Sequence, residues 1–155
     1  MGLWEAGMGV TDDRLNASTG AAEDGKKVFI ASGTMASANY LDIPGNAGAA
    51  TSVPLVKYTG ASKLFVAMKT NLFSDAASTA VRLGIRINGV DYDVALGYYT
   101  LASQYHPVIG WAFLSGIPAG SYTCQARWKR TAGGGNITAN SGISELDIDV
   151  CEVGL

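Results

Sequence analysis

Apolar and polar side chains alternate with a two-residue period along most of the chain after residue 26. This period is typical of β-strands that have one face in a core and the other in water. In the clearest example, every second residue from Tyr122 to Trp128 is apolar and the residues between them are polar. Segments that alternate in this way, or that form short apolar runs, predict nine or ten strands. They are Lys27–Ser32, Tyr40–Ile43, Val53–Tyr58, Lys63–Met68, Val81–Ile87, Val90–Leu96, Val108–Leu114, 121–129, Ile137–Thr138 and Leu146–Val153.

Turn-forming residues separate these segments and indicate how the strands are joined. Asn88-Gly89 is the preferred pair for a type I′ hairpin turn, so Val81–Ile87 and Val90–Leu96 should pair antiparallel. Pro54 cannot donate a backbone hydrogen bond, which predicts an edge position for its strand. Residues 71–80 are predicted to form a loop. Short strands at this spacing, without an interior helix, predict an all-β fold: an antiparallel β-sandwich or jelly roll of about eight to ten strands.

Residues 1–25 differ from the rest and are predicted to form an N-terminal anchor segment and linker ahead of a jelly-roll domain at 26–155. Thr11 and the carboxylates after it resemble the start of a short helix. Ser18 to Gly25 is small, polar and acidic, as linkers are. The anchor carries large apolar side chains that so short a segment cannot bury by itself. These are Leu3, Trp4, Met8, Val10 and Leu15. They either fold back onto the domain or dock into a different protein, and the pattern alone leaves both open.

The charge and the hydropathy of the chain argue against two classes of partner. Only 15% of the 155 residues are charged, against about 25% in a typical soluble domain. Such a surface favours contact with other proteins. The net charge of −2 provides no field that would attract nucleic acid. No apolar run reaches the roughly 18 residues that a membrane span requires, so we expect neither nucleic-acid binding nor membrane insertion.

Residues that could perform catalysis or hold a metal are too few to form a site. His106 is the single histidine, and no Gly-x-Ser-x-Gly motif accompanies it in the chain. Cys124 and Cys151 lack the second pair that a zinc site needs. Asp147 and Asp149 share one strand face, but outward acids at this spacing are more typical of a solvated surface than of a calcium site. We therefore expect no catalytic residues, no metal site, no cofactor and no enzymatic activity.

The two cysteines are predicted to remain thiols. Cys124 belongs to the apolar register of its strand, whereas Cys151 follows the polar register of the last strand. The N-terminus has no basic region followed by a hydrophobic stretch, so synthesis in a reducing cytoplasm is expected. One disulfide between the two cysteines is the alternative.

Four motifs follow one another along the predicted domain. Tyr40-Leu-Asp-Ile-Pro-Gly45 comes first, Ser62-Lys-Leu-Phe-Val66 follows, and Ile85-Arg-Ile-Asn-Gly89 leads into the hairpin turn. The fourth is Ile117-Pro-Ala-Gly-Ser-Tyr-Thr-Cys-Gln-Ala-Arg-Trp128. This order resembles the jelly rolls of the tumour-necrosis-factor-like and complement-globular-head families, over about residues 27–153. In the fourth motif Cys124 stands where those families usually have valine, and Tyr122 stands where histidine is commoner. The resemblance implies a homotrimer around an apolar axis.

A second resemblance covers the anchor. Trp4-Glu-Ala-Gly-Met-Gly-Val-Thr-Asp-Asp-Arg-Leu-Asn16 is similar to the Trp-x-x-Gly-Met-x-Val-Thr-x-x-x-Leu-Asn opening of minor structural proteins in tailed bacteriophages. Together the two resemblances imply a non-enzymatic virion protein whose anchor binds phage capsid or tail proteins and whose β-domain is displayed outward. Capsid decoration is the preferred interpretation, because the chain is short and lacks the repeats of a long fibre.

Two other interpretations remain. A tail-associated receptor-binding module would bind a host cell-surface glycan through aromatic side chains, which stack well on sugars. The candidate contacts, in a stretch predicted to be rich in loops, are Tyr98, Tyr99, Tyr105 and His106. These residues could instead pack against neighbouring subunits. The rival from a different functional class is a secreted or cytosolic binding domain with the same fold.

Overall fold

Two antiparallel β-sheets face each other in the structure, a computed structural model that describes residues 23–154. The described residues contain eleven strands and one 3-10 turn at Asn46–Gly48. The strands are β1 (Glu23–Phe29), β2 (Gly33–Met35), β3 (Leu41–Asp42), β4 (Ser52–Lys57), β5 (Lys63–Ser74), β6 (Thr79–Ile87), β7 (Val90–Tyr99), β8 (Gln104–Leu114), β9 (Gly120–Ala132), β10 (Ile137–Ala139) and β11 (Glu145–Val153).

The order of the strands is that of a jelly roll. In the first sheet β1 pairs with β11, β11 and β10 lie along one edge of β5, and β8 lies along the other edge. In the second sheet β3 and β4 follow one another along β9, which pairs with β6, and β6 pairs with β7. The prediction of an all-β antiparallel sandwich is therefore confirmed.

The core lies between the two sheets and is built from the inward-facing residues of both. On β6 the inward residues from Val81 to Ile87 are buried, while Arg82 and Arg86 point outward. Trp128, which ends the fourth sequence motif, is buried on β9. Cys124 lies in this core, and Cys151 lies on β11 of the other sheet.

Two local predictions about turns and edges are confirmed. Asn88 and Gly89 have φ angles of 50° and 80°, the left-handed conformations that a type I′ turn demands. Pro54 lies in β4, which pairs with β9 along one side only among the described strands. An edge strand tolerates proline because its outer side needs no N–H donor.

The strands are longer than the sequence pattern predicted. β1 begins at Glu23 and so includes the last three residues of the predicted linker. The predicted loop at 71–80 is wrong for most of its length, because β5 runs to Ser74 and β6 begins at Thr79. Long-range pairing explains both differences: β11 pairs with the start of β1, and β8 pairs with β5 as far as Ser74. None of the described residues forms a helix long and apolar enough to cross a membrane.

Candidate functional site

Exposed aromatic and aliphatic side chains lie along the outer surface of the first sheet. On β8, the exposed fractions are 40% for Tyr105, 60% for Ile109, 63% for Trp111 and 55% for Phe113. Two half-buried phenylalanines of β5 lie beside them. We call the six residues the aromatic face: Phe65, Phe73, Tyr105, Ile109, Trp111 and Phe113.

The large side chains of β8 point outward because the space on its inner side is taken. A Cβ atom on Gly110 would lie only 2.7 Å from the Cα atom of Ala95 in β7. At Gly97 of β7, a Cβ atom would lie 2.6 Å from the side chain of Val108. β7 and β8 therefore approach each other closely at Gly97 and Gly110, and the bulky Ile109 and Trp111 on either side of Gly110 point outward.

The rings of the aromatic face form two groups, Phe65 with Trp111 and Phe113, and Phe73 with Tyr105. Phe65 lies directly opposite Phe113, and Phe73 lies opposite Tyr105, with ring centroids 5.3 Å apart in both pairs. Trp111 belongs to the first group, with its ring centroid 5.7 Å from that of Phe113 and 6.3 Å from that of Phe65. The β8 side chains expose roughly 450 Å², if a whole aromatic side chain presents about 150–250 Å². An apolar patch of this size on a monomer is often an interaction site.

The other half of the same sheet surface is charged. On β11, Asp147 forms an ion pair with Lys27 of β1 at 3.4 Å. Asp149 follows two residues later on the same surface. A depression of about 180 Å³ lies between this charged half and Trp111. The outer surface of the first sheet thus changes from charged at β1 and β11 to apolar at β8.

The outer surface of the second sheet carries a network of paired charges. Asp93 pairs with Arg82 and, at 3.7 Å, with Lys129. Further ion pairs join Arg86 to Asp91, and Arg127 to both Asp42 and Asp91. Such a network fixes the positions of its side chains on the sheet, and its cations already have carboxylate partners.

Tyr40 is the centre of this network. Its ring lies against the backbone of Gly84, with the ammonium group of Lys129 4.1 Å from the ring centroid. Its hydroxyl donates a hydrogen bond of 2.5 Å to Asp93. Burial and this hydrogen bond raise the pKa of Tyr40 well above its usual range. Burial alone would raise the pKa of Asp93, but hydrogen bonds from Tyr40 and Arg82 lower it below its ordinary value.

A buried ion pair joins the two sheets at the end of the sandwich where β11 finishes. Lys57 of β4 and Glu152 of β11 are buried, with Nζ and Oε1 4.0 Å apart. Glu152 accepts hydrogen bonds from the N–H groups of Tyr58 and Thr59 and from the hydroxyl of Ser62. Burial opposes ionisation, yet these donors hold the pKa of Glu152 below its usual value. These contacts hold the connection between β4 and β5 against β11, so the ion pair has a structural role.

The residues predicted to contact a glycan do not meet on one surface. They lie in strands β7 and β8 rather than in loops, since only residues 100–103 separate these strands. Tyr98 is exposed on the outer surface of the second sheet, and Tyr105 on that of the first. Tyr99 is fully buried and donates a hydrogen bond of 3.2 Å to the Leu72 carbonyl, so its prediction as a surface contact is wrong. His106 is half-buried against Tyr99, with ring centroids 5.7 Å apart.

Other predicted positions fall outside the described residues, and the anchor therefore stays a prediction. They are Leu3, Trp4, Met8, Val10 and Leu15. Within residues 23–154, no group of three or more His, Cys, Asp or Glu side chains is placed to hold a metal ion.

Sequence reasoning identified Tyr105 as a surface contact but missed the rest of the aromatic face, although the signal was present. Val108–Leu114 is apolar in both of its registers, so the alternation could not tell which register faced the core. A strand that is apolar on both faces indicates that something covers both. In the described structure the outer face of β8 is exposed.

No protein-family model matches the chain, and no curated protein matches it. Solved structures of similar fold include Eiger TNF from S. frugiperda, with a TM-score of 0.48 and 12% identity over 85% of this chain and 93% of that one. Murine APRIL gives a TM-score of 0.46 and 8% identity over 83% and 98% of the two chains. The globular domain of zebrafish complement 1qA gives a TM-score of 0.41 and 10% identity over 84% of this chain and 97% of that one. These similarities concern the fold alone, and the assignment of a jelly roll rests on the strand order given above.

Proposed function

We propose that the chain is a non-enzymatic structural protein of a tailed phage. Its β-sandwich self-associates through the aromatic face, and its N-terminal segment attaches the assembly to the virion. The aromatic face carries the self-association part of this proposal, because it places four large exposed side chains on one strand, where a partner could bury them together. The polar groups of the second sheet, by contrast, are largely paired with one another.

The size of the aromatic face supports self-association as its role. Burying roughly 450 Å² of apolar surface contributes about 11 kcal/mol at 25 cal/mol per Å². Association itself costs about 4–15 kcal/mol in lost translational and rotational freedom. The face therefore comes close to holding two subunits together by itself, and a standard interface of about 800 Å² per partner would extend onto the neighbouring charged half.

A trimer is the proposed stoichiometry, and a virion is the proposed location. The number of subunits comes from the resemblance of the four motifs between Tyr40 and Trp128 to jelly rolls that trimerise around an apolar axis. The location comes from the resemblance of Trp4–Asn16 to the opening of phage minor structural proteins. Capsid decoration is the preferred role, with a tail location as the alternative.

Trp111→Glu tests self-association directly. A carboxylate in the centre of the aromatic face would be desolvated in the complex, so the variant should be monomeric by sedimentation velocity while its circular dichroism stays that of the wild type. Tyr98→Glu is the matched control, since Tyr98 is 56% exposed on the opposite sheet and should leave the trimer intact. A wild-type protein that is monomeric at all accessible concentrations would refute the proposal.

Attachment to the virion needs a separate experiment. Deletion of residues 1–19 should leave a folded oligomer that no longer co-purifies with particles. Trp4→Ala should reduce incorporation, whereas Glu5→Ala should not, because position 5 is not fixed in the motif. Full incorporation of the truncated protein would show that the anchor lies elsewhere. Hundreds of copies per particle would indicate decoration, and a few tens or fewer would indicate a tail role.

A further inference from the structure

A depression interrupts the outer surface of the first sheet where its apolar and charged halves meet. Asp149 of β11, Ala67 of β5 and Trp111 of β8 lie opposite one another on three adjacent strands. Neighbouring strands are about 4.8 Å apart, so the strand positions of Asp149 and Trp111 are separated by roughly 10 Å. The small Ala67 side chain leaves the space between them open, and the depression has a volume of about 180 Å³.

The two walls of the depression differ in chemistry. The indole of Trp111 forms one wall, and the carboxylate of Asp149 lies on the other. Asp147, two residues before Asp149 on β11, already forms an ion pair with Lys27, with Nζ and Oδ2 3.4 Å apart. The Asp149 carboxylate makes no ion pair or hydrogen bond with any other side chain that the structure describes.

Covering the aromatic face would change the state of this carboxylate. A partner that buries Trp111 also removes water from the depression, because Trp111 forms its wall. A carboxylate that loses its water without gaining a partner is strongly unfavourable. Lys69 of the same subunit lines the depression but forms no ion pair with Asp149 in the described structure, so a covering surface that brings a cation to Asp149 strengthens the contact at its centre.

We propose that the depression binds a basic side chain of a neighbouring copy of this chain, an inference that rests on the self-association proposed above. The cationic group lies between the Trp111 indole and the Asp149 carboxylate. The indole attracts the cation through its ring electrons, and the carboxylate neutralises its charge. The aromatic face supplies the area of the contact, and this ion pair sets its register.

The chain itself offers suitable donors. Lys63 and Lys69 are exposed on the same surface of β5 as Phe65, and neither forms an ion pair within the described residues. Lys69 lines the depression of its own subunit, whereas Lys63 is the first residue of β5, opposite Val153 and away from Asp149. Either lysine of a second copy could be the cation, and the coupling between variants identifies which one.

The test measures the trimer dissociation constant by sedimentation equilibrium for Asp149→Asn, Asp147→Asn, Lys63→Gln and Lys69→Gln. Asp149→Asn should weaken association by about tenfold or more, because it removes a desolvated charge pair. Asp147→Asn is the control: Asp147 also lines the depression, but Lys27 already neutralises its charge within the subunit, so association should change by less than about threefold. One lysine variant should match Asp149→Asn, and combining the two should give no further loss.

Salt provides a second measurement. The wild-type trimer should weaken more steeply with rising salt than the Asp149→Asn trimer, because part of its stability is an ion pair. An Asp149→Asn trimer as tight as wild type, in a protein whose Trp111→Glu variant is monomeric, would overturn this inference and leave self-association standing. A monomeric wild-type protein would overturn both.

Discussion

Replacing Glu152 by Gln is the substitution for which the structure gives the most definite expectation. The Glu152 carboxylate is buried and is held by two backbone N–H groups, at 2.7 Å from Tyr58 and 3.0 Å from Thr59, and by the Ser62 hydroxyl. The ammonium group of Lys57 is buried 4.0 Å away. Glutamine keeps the volume of the side chain but removes the charge that Lys57 faces.

The expected loss is about 3 kcal/mol of unfolding free energy, within the 3–5 kcal/mol that breaking a buried ion pair usually costs. The amide oxygen of glutamine can still accept some of the hydrogen bonds, which favours the lower end of this range. The main contribution is the cost of leaving the Lys57 ammonium without a counter-charge. Against a total stability of about 5–15 kcal/mol, the effect would be large.

Urea unfolding followed by circular dichroism measures this loss. Glu145→Gln is the matched control, because Glu145 is exposed on the same strand and should change stability by less than about 0.5 kcal/mol. The double variant Lys57→Met/Glu152→Gln should recover much of the loss, since it removes both charges and keeps an amide oxygen that accepts from the Tyr58 and Thr59 N–H groups. A loss below about 1 kcal/mol for Glu152→Gln, or a double variant less stable than the single one, would refute the reasoning.

The pH dependence gives an independent check. The pKa of Glu152 is lower in the folded protein than its ordinary value of 4.5, so the folded state favours the ionised carboxylate. The stability that it contributes is therefore present above pH 4.5 and is lost as the pH falls through the folded-state pKa. The difference in stability between wild type and Glu152→Gln should shrink on acidification below this value.

Three further substitutions test the close contacts of the two sheets. Gly84→Ala should destabilise by about 1–3 kcal/mol in urea unfolding, because its Cβ atom would lie 2.6 Å from the ring of Tyr40; an unchanged midpoint would contradict this. Tyr40→Phe should cost about 1.5–3 kcal/mol, the usual worth of a hydrogen bond to a charged group such as the Asp93 carboxylate, and a loss below about 0.5 kcal/mol would show that the hydroxyl contributes little. Gly110→Ala places a methyl group 2.7 Å from the Cα atom of Ala95 and should lower the thermal midpoint by several degrees; a midpoint equal to that of wild type would show that β7 and β8 can separate freely.

The sequence was sufficient to predict the fold class, because alternation and turn chemistry are local signals. Asn88-Gly89 and Pro54 each determine their own backbone conformation, and the structure agrees with both. Strand ends were less predictable. Residues 71–74 and 104–107 contain polar residues and a proline, which indicate a loop, yet these segments pair with each other as the ends of β5 and β8. That pairing comes from strands separated along the chain, which local propensity does not report.

The candidate site was harder to predict for a related reason. The register of β8 is decided by the close approach of β7 at Gly110, not by the hydrophobicity of β8 itself. Both registers of Val108–Leu114 are apolar, so the exposed position of Trp111 becomes visible only once the two sheets are placed. Tyr99 shows the converse: its neighbours suggested a surface loop, but the pairing of β7 with β6 directs its side chain into the core.

The register of the first sheet also determines where the N-terminal segment leaves the domain. Four residues lie opposite one another on the adjacent strands β1, β11, β5 and β8: Glu23, Cys151, Phe65 and Phe113. The first residue of β1 is therefore in register with Phe65 and Phe113 of the aromatic face. That entry point is three strands from Phe113, about 14 Å at 4.8 Å per strand. If subunits join through this face as proposed, the proposed anchors would be held at a high local concentration. An anchor that binds weakly as a single copy could then hold the assembly about 10²–10⁴ times more tightly through multivalency, without any additional contact.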